Sequence, residues 1–222
     1  AVISITAGFV AGEDVLSLTS VLATMGNIVG NFDGGIGVMT LNSAGGTATL
    51  AQWQAALRAV NYSNSSDDPS DAARTVSFTV NDGAANSNTM TSTVTVTAVN
   101  DAPSLATSST LHYTENDPAT AVNTALTISD PDSGGLAGAT VSISGNCAAG
   151  QHVLVFTNEL PTMGDIAADF NSDTGVMTLA SASNTATLTE WQAALRTVQY
   201  RNSSDNPSSA TRTVAFTVND GV

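Results

Sequence analysis

Residues 74–83 read RTVSFTVNDG, and residues 212–221 read RTVAFTVNDG. In each stretch, apolar residues alternate with hydroxyl-bearing or small residues until Asn-Asp-Gly ends the run. A period of two predicts a strand with one face in a core and one in solvent, and Asn-Asp-Gly is typical of a turn. The same alternation marks residues 93–98, TVTVTA. Many short strands separated by turn residues favour an all-β fold built from β-sandwich domains.

The two stretches belong to a longer internal repeat. Trp53 and Trp191 lie 138 positions apart, and a shift of that size aligns residues 1–84 with residues 139–222 without a gap. About 49 of the 84 aligned pairs are identical, which marks tandem modules. Repeat arrays usually supply length, reach or multivalency, so the pattern favours an interaction or scaffold protein over a single active site.

The repeat frame predicts a domain boundary at residues 98–103, AVNDAP, because proline there ends a run of backbone pairing. Residues 1–102 are predicted to be the C-terminal part of one repeat, and residues 103–222 the N-terminal part of the next. The first copy lacks the counterpart of residues 104–138, and the second lacks the counterpart of residues 85–102. Either adjoining sequence carries the missing strands, or neighbouring chains supply them.

Each copy also predicts one short helix. The sequences TLAQ at residues 49–52 and TLTE at residues 187–190 fit a capping box, in which Thr and Gln or Glu satisfy each other's backbone amides. Apolar residues then follow each tryptophan at i+4 and i+7, forming one stripe. We expect the helix to close an edge of the sandwich with its tryptophan in the core. Arg58 and Arg196, beside the stripe, are expected to bond within their own domains.

Composition excludes several function classes. The chain has 19 acidic and 5 basic residues, all arginine, for a net charge of −14. Such a surface repels phosphate backbones, so no nucleic-acid partner is expected. No apolar run approaches the roughly 20 residues of a transmembrane segment. The single cysteine, Cys147, excludes an internal disulfide and is expected to be a small buried thiol.

Acidic and amide residues recur at the predicted turns and strand ends. They include Asp130-Pro131-Asp132, where a rigid turn presents two carboxylates. Calcium binds six to eight oxygens drawn from several loops, so these clusters predict a Ca²⁺ site. The alternative is that Asp and Asn merely favour turns by bonding to nearby backbone groups.

The end of the first copy, VNDG at residues 80–83 and VNDAP at residues 99–103, resembles the end of a cadherin-like domain. Glu115-Asn116 and Asp130-Pro131-Asp132 fit the start of the next domain. The whole chain resembles the cadherin-like repeats of large bacterial surface proteins and adhesins, with an insert similar to chondroitin sulfate proteoglycan-type repeats. The resemblance implies Ig/cadherin-like β-sandwiches in tandem, each with one short helix in a connecting segment.

The resemblance also implies the ligands. Calcium would be held by linker residues together with Asp130, Asp132 and Asp220, while Glu115 and Asp205 would belong to the far end of the second domain. Asp82 would take the role of Asp220 in the first copy. The implied metal ligands are therefore Asn100, Asp101, Asp130, Asp132, Asp220, Glu115, Asp82 and Asp205. The linker carries fewer acids than the full cadherin pattern, which implies fewer ions at each junction.

We expect no enzymatic activity and no catalytic residues, because the copies share no histidine and no nucleophile elbow is present. The sequence predicts a structural, calcium-stabilised module of an extracellular or bacterial cell-surface adhesin or fibre, acting as a rigid spacer. Its partners would be neighbouring repeats, copies of itself, or a cell-surface or polysaccharide ligand. One alternative is the subunit of an extracellular filament or sheath joined by strand exchange. A second is a carbohydrate-binding module, which needs an exposed aromatic platform such as Trp53 or Trp191.

Overall fold

The computed structural model describes residues 1–222, which separate into two compact units, Ala1–Val99 (unit 1) and Asn100–Val222 (unit 2). The sequence placed its boundary three residues later, after residue 102. Both units consist mainly of short antiparallel strands with a few short helices. The prediction of an all-β fold is confirmed, and the cadherin-like strand order stays a prediction.

Unit 1 has seven strands and two α-helices. They are β1 (Val2–Ala7), β2 (Asp14–Ser17), α1 (Leu22–Met25), β3 (Ile28–Asp33), β4 (Val38–Ser43), α2 (Leu50–Arg58), β5 (Asn61–Asn64), β6 (Arg74–Thr79) and β7 (Met90–Val94). A short 3₁₀ turn, Ala44–Gly46, precedes α2. Five strands form one sheet in the order β3-β4-β1-β6-β7, and β2 pairs with β5 in a second sheet.

Unit 2 has nine strands and two α-helices. They are β8 (Ser104–Ala106), β9 (Thr120–Ala121), β10 (Thr127–Ser129), β11 (Gly138–Gly145), β12 (His152–Val155), α3 (Leu160–Met163), β13 (Ile166–Asn171), β14 (Val176–Ser181), α4 (Leu188–Arg196), β15 (Gln199–Asn202) and β16 (Thr213–Asn219). Its sheets run β13-β14-β11-β16, β12-β15-β9 and β10-β8.

The sequence repeat is also a structural repeat. Strands β1–β6 correspond to β11–β16, and the register agrees: Ile3 pairs with Phe78, as Val141 pairs with Phe216. Even the irregularity near the end of β1, after Ile5, returns after Ile143 in β11. Each core draws residues from more than one sheet and from the nine-residue helix. Similar sequence therefore produces the same order and register of the strands that both units have.

The predicted helices and their capping boxes are confirmed. Thr49 accepts from the Gln52 amide at 3.3 Å, and the Gln52 side chain accepts from the Thr49 amide at 2.9 Å. Thr187 and Glu190 make the same two bonds at 3.3 and 2.8 Å. These bonds satisfy backbone amides that a helix start leaves without partners.

The two helices differ in how they are covered. In unit 2, β10 packs on α4: Ile128 N–H donates to the Gln192 side chain at 3.2 Å, and Arg196 Nε donates to the Leu126 carbonyl at 2.6 Å. Trp191 is fully buried there. Unit 1 has no counterpart of β8–β10, so Trp53 is only half-buried. The prediction of a core tryptophan is therefore confirmed for Trp191 and only partly for Trp53.

Two expectations need correction, and two short helices were not expected. The alternating run at residues 93–98 is not one strand, because β7 ends at Val94, opposite the first residue of β6, Arg74. Residues beyond Val94 therefore have no strand to pair with. The four-residue helices α1 and α3 were not predicted, since one helical turn carries no readable periodicity. Cys147 is exposed and not buried, because it lies in the loop after β11.

None of the helices combines the length and the apolar character that crossing a bilayer requires.

Candidate functional site

The turn after β10 carries the first pair of predicted calcium ligands. Asp130 Oδ1 accepts from the backbone amides of Asp132 at 3.2 Å and Ser133 at 3.0 Å, as an aspartate that closes its own turn does. The remaining oxygens behave differently. Asp130 Oδ2 and Asp132 Oδ1 are both buried and have no hydrogen-bond partner. A buried carboxylate oxygen without a donor is costly unless a water or an ion compensates it.

The first residues of unit 2 lie against this turn and the end of β16. The Asp101 amide donates to Asp132 Oδ2 at 2.7 Å, and Asn100 Nδ2 donates to Asp220 Oδ2 at 2.8 Å. The structure thus joins four of the predicted ligands in two pairs. Asp101 contributes its backbone amide to this arrangement, and its carboxylate has no hydrogen bond.

Asp220 follows β16 and faces a shallow depression that residues 132–137 and Asn184 complete. Hydrogen bonds from the Asn100 side chain and from the Val222 amide hold the pKa of Asp220 below its ordinary value. Both donors stabilise the charged carboxylate, so Asp220 is ionised at neutral pH and suited to a cation.

The other three predicted ligands lie elsewhere. Asp82, in unit 1, accepts from the amides of Ala84 and Ala85 at 2.9 Å each, and the bonds from these two amides lower its pKa. Its Oδ1 therefore closes a local turn, as the alternative explanation expects. Glu115 accepts only a long bond of 3.5 Å from the neighbouring Asn116. The Asp205 carboxylate has no hydrogen bond, and none joins it to Glu115.

No three or more His, Cys, Asp or Glu side chains meet in a group that would hold a metal ion. The chemistry of the region around Asp130 nonetheless fits calcium, because every atom that could bind a metal there is an oxygen. Two of these oxygens, Asp130 Oδ2 and Asp132 Oδ1, have no hydrogen-bond partner. Calcium binding there would require Asp130, Asp132 and Asp220 to draw on neighbouring carbonyl or amide oxygens. The residues present can offer ligands, and the assignment stays a prediction.

The aromatic residues give the carbohydrate alternative little surface. Trp191 is entirely buried, and its indole N–H has no hydrogen-bond partner. Trp53 is half-buried and packs against the core of unit 1. A sugar-binding platform needs an exposed ring face, and the structure leaves only part of Trp53 for that purpose.

Unit 1 contains a buried ion pair that the sequence analysis did not predict. Arg74 Nε donates to both oxygens of Asp14 at 3.2 and 3.3 Å, and neither side chain reaches solvent. A signal was present: Asp14 aligns with His152, whereas Arg74 aligns with Arg212. The aspartate of unit 1 is replaced by histidine in unit 2, while the arginine is the same in both units. The alignment therefore indicates that the two units differ at this position.

Comparison with known proteins gives one match. Over 108 residues the chain is 39% identical to a segment of halomucin from Haloquadratum walsbyi. The matched region is 48% of this chain, and it spans about 1% of halomucin, which is therefore a very long protein. No family model matches the chain, and no solved structure matches it.

Proposed function

We propose that this chain is a repeat module of a large extracellular surface protein, where it acts as a calcium-stabilised spacer. The observation that carries the proposal is the tandem repeat itself, in a chain similar to a segment of a far longer protein. A polypeptide that repeats one β-domain gains length without adding active sites. The acidic surface, with a net charge of −14, keeps such a domain soluble and repels other acidic polymers.

Calcium would act at the end of unit 2. Asp130 Oδ2 and Asp132 Oδ1 are oxygens without other partners, and Asp132 Oδ2 already binds the Asp101 amide. A cation held by Asp130 and Asp132 would neutralise two half-buried carboxylates. It would also fix the Asp132 carboxylate to which Asp101 is bonded. The segment that enters unit 2 would therefore lose freedom, which is what a spacer requires.

The test is thermal unfolding of unit 2 at constant ionic strength, with and without calcium. A Trp53→Phe background leaves Trp191 as the only tryptophan, so its emission reports on unit 2. A ligand that binds only the folded state at 100 times its dissociation constant stabilises that state by about 2.7 kcal/mol. We expect calcium to raise the unfolding midpoint, magnesium to do so less, and Asp132→Asn to remove the response.

Asp173→Asn is the matched control, since Asp173 is exposed and its carboxylate makes no hydrogen bond. It removes the same charge from unit 2 and should leave the calcium response intact. A second readout is cleavage after Asp101 by an endoproteinase specific for acidic residues, which calcium should slow. Equal midpoints with calcium and with chelator would exclude the calcium role and leave the surface-module proposal standing.

A second candidate is a subunit that assembles by strand exchange, and one observation favours it. In unit 1, β6 lies between β1 and β7, whereas in unit 2 its counterpart β16 pairs only with β11. A strand like β7 could pair with the outer edge of β16, and either the sequence after residue 222 or another chain could supply it. The same difference is seen at β5, which pairs only with β2, whereas β15 also pairs with β9.

A peptide of residues 85–102 tests this candidate, because it contains β7. Strand exchange predicts that the peptide binds the full chain, raises the unfolding midpoint of unit 2 and disperses any concentration-dependent oligomers. The same peptide with Ser92→Pro is the control, since proline removes a ladder donor at a position paired with Val76 in unit 1. A chain that stays monomeric at all concentrations and ignores both peptides is not built by strand exchange.

A further inference from the structure

Both units bury a polar cluster at the same place, and the clusters differ at one residue. Unit 1 brings together Asp14, Tyr62, Asn64 and Arg74. The aligned residues of unit 2 share three of these types and replace only the aspartate. They are His152, Tyr200, Asn202 and Arg212. The comparison isolates what happens when one buried carboxylate is exchanged for an imidazole.

In unit 1 the carboxylate of Asp14 accepts from four groups around it, and Arg74 Nη2 is the buried donor that it leaves without a partner. The carboxylate accepts from the Val10 amide at 2.7 Å, Asn64 Nδ2 at 2.8 Å, the Tyr62 hydroxyl and Arg74 Nε. The charge of the guanidinium is matched by one carboxylate charge. A buried arginine is tolerated when it is both paired and hydrogen-bonded, and Arg74 meets both conditions through Nε.

In unit 2 the arginine keeps its anchor to the preceding loop. Arg212 Nη1 donates to the carbonyls of Ser208 at 2.6 Å and Ala210 at 2.9 Å. Arg74 Nη1 makes the same two contacts, to Ser70 and Ala72. The guanidinium of Arg212 is thus held as in unit 1, but its former carboxylate partner is absent from the sequence.

Hydrogen bonding fixes the tautomer of His152, which is 1% exposed. Its Nδ1 lies 2.9 Å from Asn202 Nδ2 and 2.7 Å from the Tyr200 hydroxyl. An amide nitrogen can only donate, so Nδ1 accepts and the proton of the neutral ring is on Nε2. His152 Nε2 and Arg212 Nε are therefore two buried N–H donors without a hydrogen bond of normal geometry, although the Asn146 backbone lies close to the His152 ring.

The arginine charge also reaches the imidazole. Burial first, and then the charge of Arg212, lower the pKa of His152. The ring is therefore neutral at neutral pH, and the positive charge of Arg212 has no acidic partner in the cluster. Two N–H donors without an acceptor and one uncompensated positive charge favour a negatively charged acceptor. A water molecule could accept the hydrogen bonds but would not compensate the charge.

We propose that unit 2 binds a small monovalent anion, such as chloride or bromide, between Arg212 Nε and His152 Nε2. The anion takes the role that the Asp14 carboxylate has in unit 1. One negative charge suffices, because the substitution removes one. A small ion is required, since the imidazole already fills more space than a carboxylate.

The test compares sodium bromide with sodium gluconate at equal sodium concentration and pH 7.5, in the full chain carrying Trp53→Phe. With bromide at several times its dissociation constant, we expect the unit 2 midpoint to rise by about 5 °C. His152→Asp rebuilds the carboxylate of unit 1, so it should raise the midpoint in gluconate and abolish the bromide response. Unit 1, followed by Trp53 in a Trp191→Phe chain, should show no bromide-specific shift.

A direct measurement keeps the proposal falsifiable if His152→Asp does not fold. Crystals of the wild-type chain grown in bromide should show an anomalous peak beside Arg212 Nε and His152 Nε2. Equal bromide shifts in wild type and His152→Asp would overturn the proposal, because the response would then lie elsewhere. A wild-type protein with neither a bromide shift nor an anomalous peak would overturn it too, leaving water as the partner of both donors.

Discussion

The buried Asp14–Arg74 pair makes unit 1 sensitive to a single charge. Asp14→Asn keeps the shape of the side chain but leaves the Arg74 guanidinium buried and unpaired. Breaking a buried ion pair from one side costs about 3–5 kcal/mol, more than most single substitutions. We expect urea unfolding of unit 1, followed by Trp53 emission, to show a loss of that size.

Asp71→Asn is the control for this prediction. Asp71 is exposed, lies in the loop before Arg74 and makes no side-chain hydrogen bond, so its charge should matter little. If Asp14→Asn and Asp71→Asn destabilise unit 1 equally, the ion pair contributes no more than general charge does.

The same aligned position should give the two units different pH dependence. In the folded chain the pKa of His152 is lower than its ordinary value of 6.5, so the imidazole binds a proton more tightly in the unfolded chain. Stability of unit 2 is therefore complete above pH 6.5 and is lost as the pH falls below it. Burial opposes ionisation of Asp14, but its hydrogen bonds and the Arg74 charge outweigh burial and hold its pKa below 3.8. Unit 1 therefore loses the contribution of Asp14 only below pH 3.8.

Unfolding midpoints measured from pH 7.5 to 4.5 in gluconate check this difference. The groups that face His152 are Arg212, Tyr200, Asn202 and the Asn146 backbone. Trp191 emission should report a falling midpoint for unit 2, while Trp53 emission reports a nearly constant one. His112→Asn, at an exposed histidine, serves as control and should leave the profile of unit 2 unchanged. Parallel curves for the two units would contradict the assignment to His152.

At the scale of elements, the helix starts offer a matched pair of substitutions. Thr49→Ala and Thr187→Ala each remove a side-chain acceptor for a helix amide. The loss of an N-cap costs typically about 1 kcal/mol. We expect each variant to destabilise its own unit by that amount in urea, with the dependence on denaturant unchanged.

Serine at either position retains the hydroxyl and is the control. Thr187→Ser should keep nearly all the stability of unit 2, because the Glu190 amide still finds an oxygen. A serine variant as unstable as the alanine variant would mean that the threonine methyl group, and not the cap, stabilises the helix start.

The same elements show why the sequence predicted part of the structure. Capping boxes and period-two strands depend on residues close in sequence, so α2, α4, β6 and β16 were predicted correctly. The end of β7 depends on where its partner β6 begins, which is a long-range fact. Trp191 is buried partly because β10 packs on α4, and the described residues of unit 1 include no such strand beside α2. The exposure of Trp53 is therefore a long-range property too.

In the candidate calcium site, too, the local features could be predicted from the sequence and the long-range ones could not. Asp130 and Asp132 share one turn, so their proximity follows from the sequence. The Asp101 amide that donates to Asp132 lies far from this turn in sequence, so no local pattern predicts that contact. That Asp82 closes a turn of its own agrees with the local alternative, because its donors are the amides two and three residues further on. Nothing local could show that Glu115 and Asp205 share no bond.

For the whole molecule, charge predicts how salt acts. Of the net charge of −14, unit 1 carries −5 and unit 2 carries −9. Like charges on a folded domain repel one another, and salt screens that repulsion as the Debye length falls from about 10 Å at 0.1 M to about 3 Å at 1 M. Sodium gluconate should therefore stabilise both units against urea, and unit 2 more steeply.

The salt dependence of the unfolding free energy also separates general charge screening from the binding of specific ions. Screening acts on both units and over hundreds of millimolar, whereas calcium binding at Asp130 and Asp132 would act on unit 2 alone and at far lower concentration. Urea unfolding with Trp53 and Trp191 as separate reporters measures both effects in single-tryptophan chains. If gluconate stabilises unit 1 as steeply as unit 2, self-repulsion does not limit the stability of unit 2. Its response to added salt would then have to come from ions bound at particular side chains.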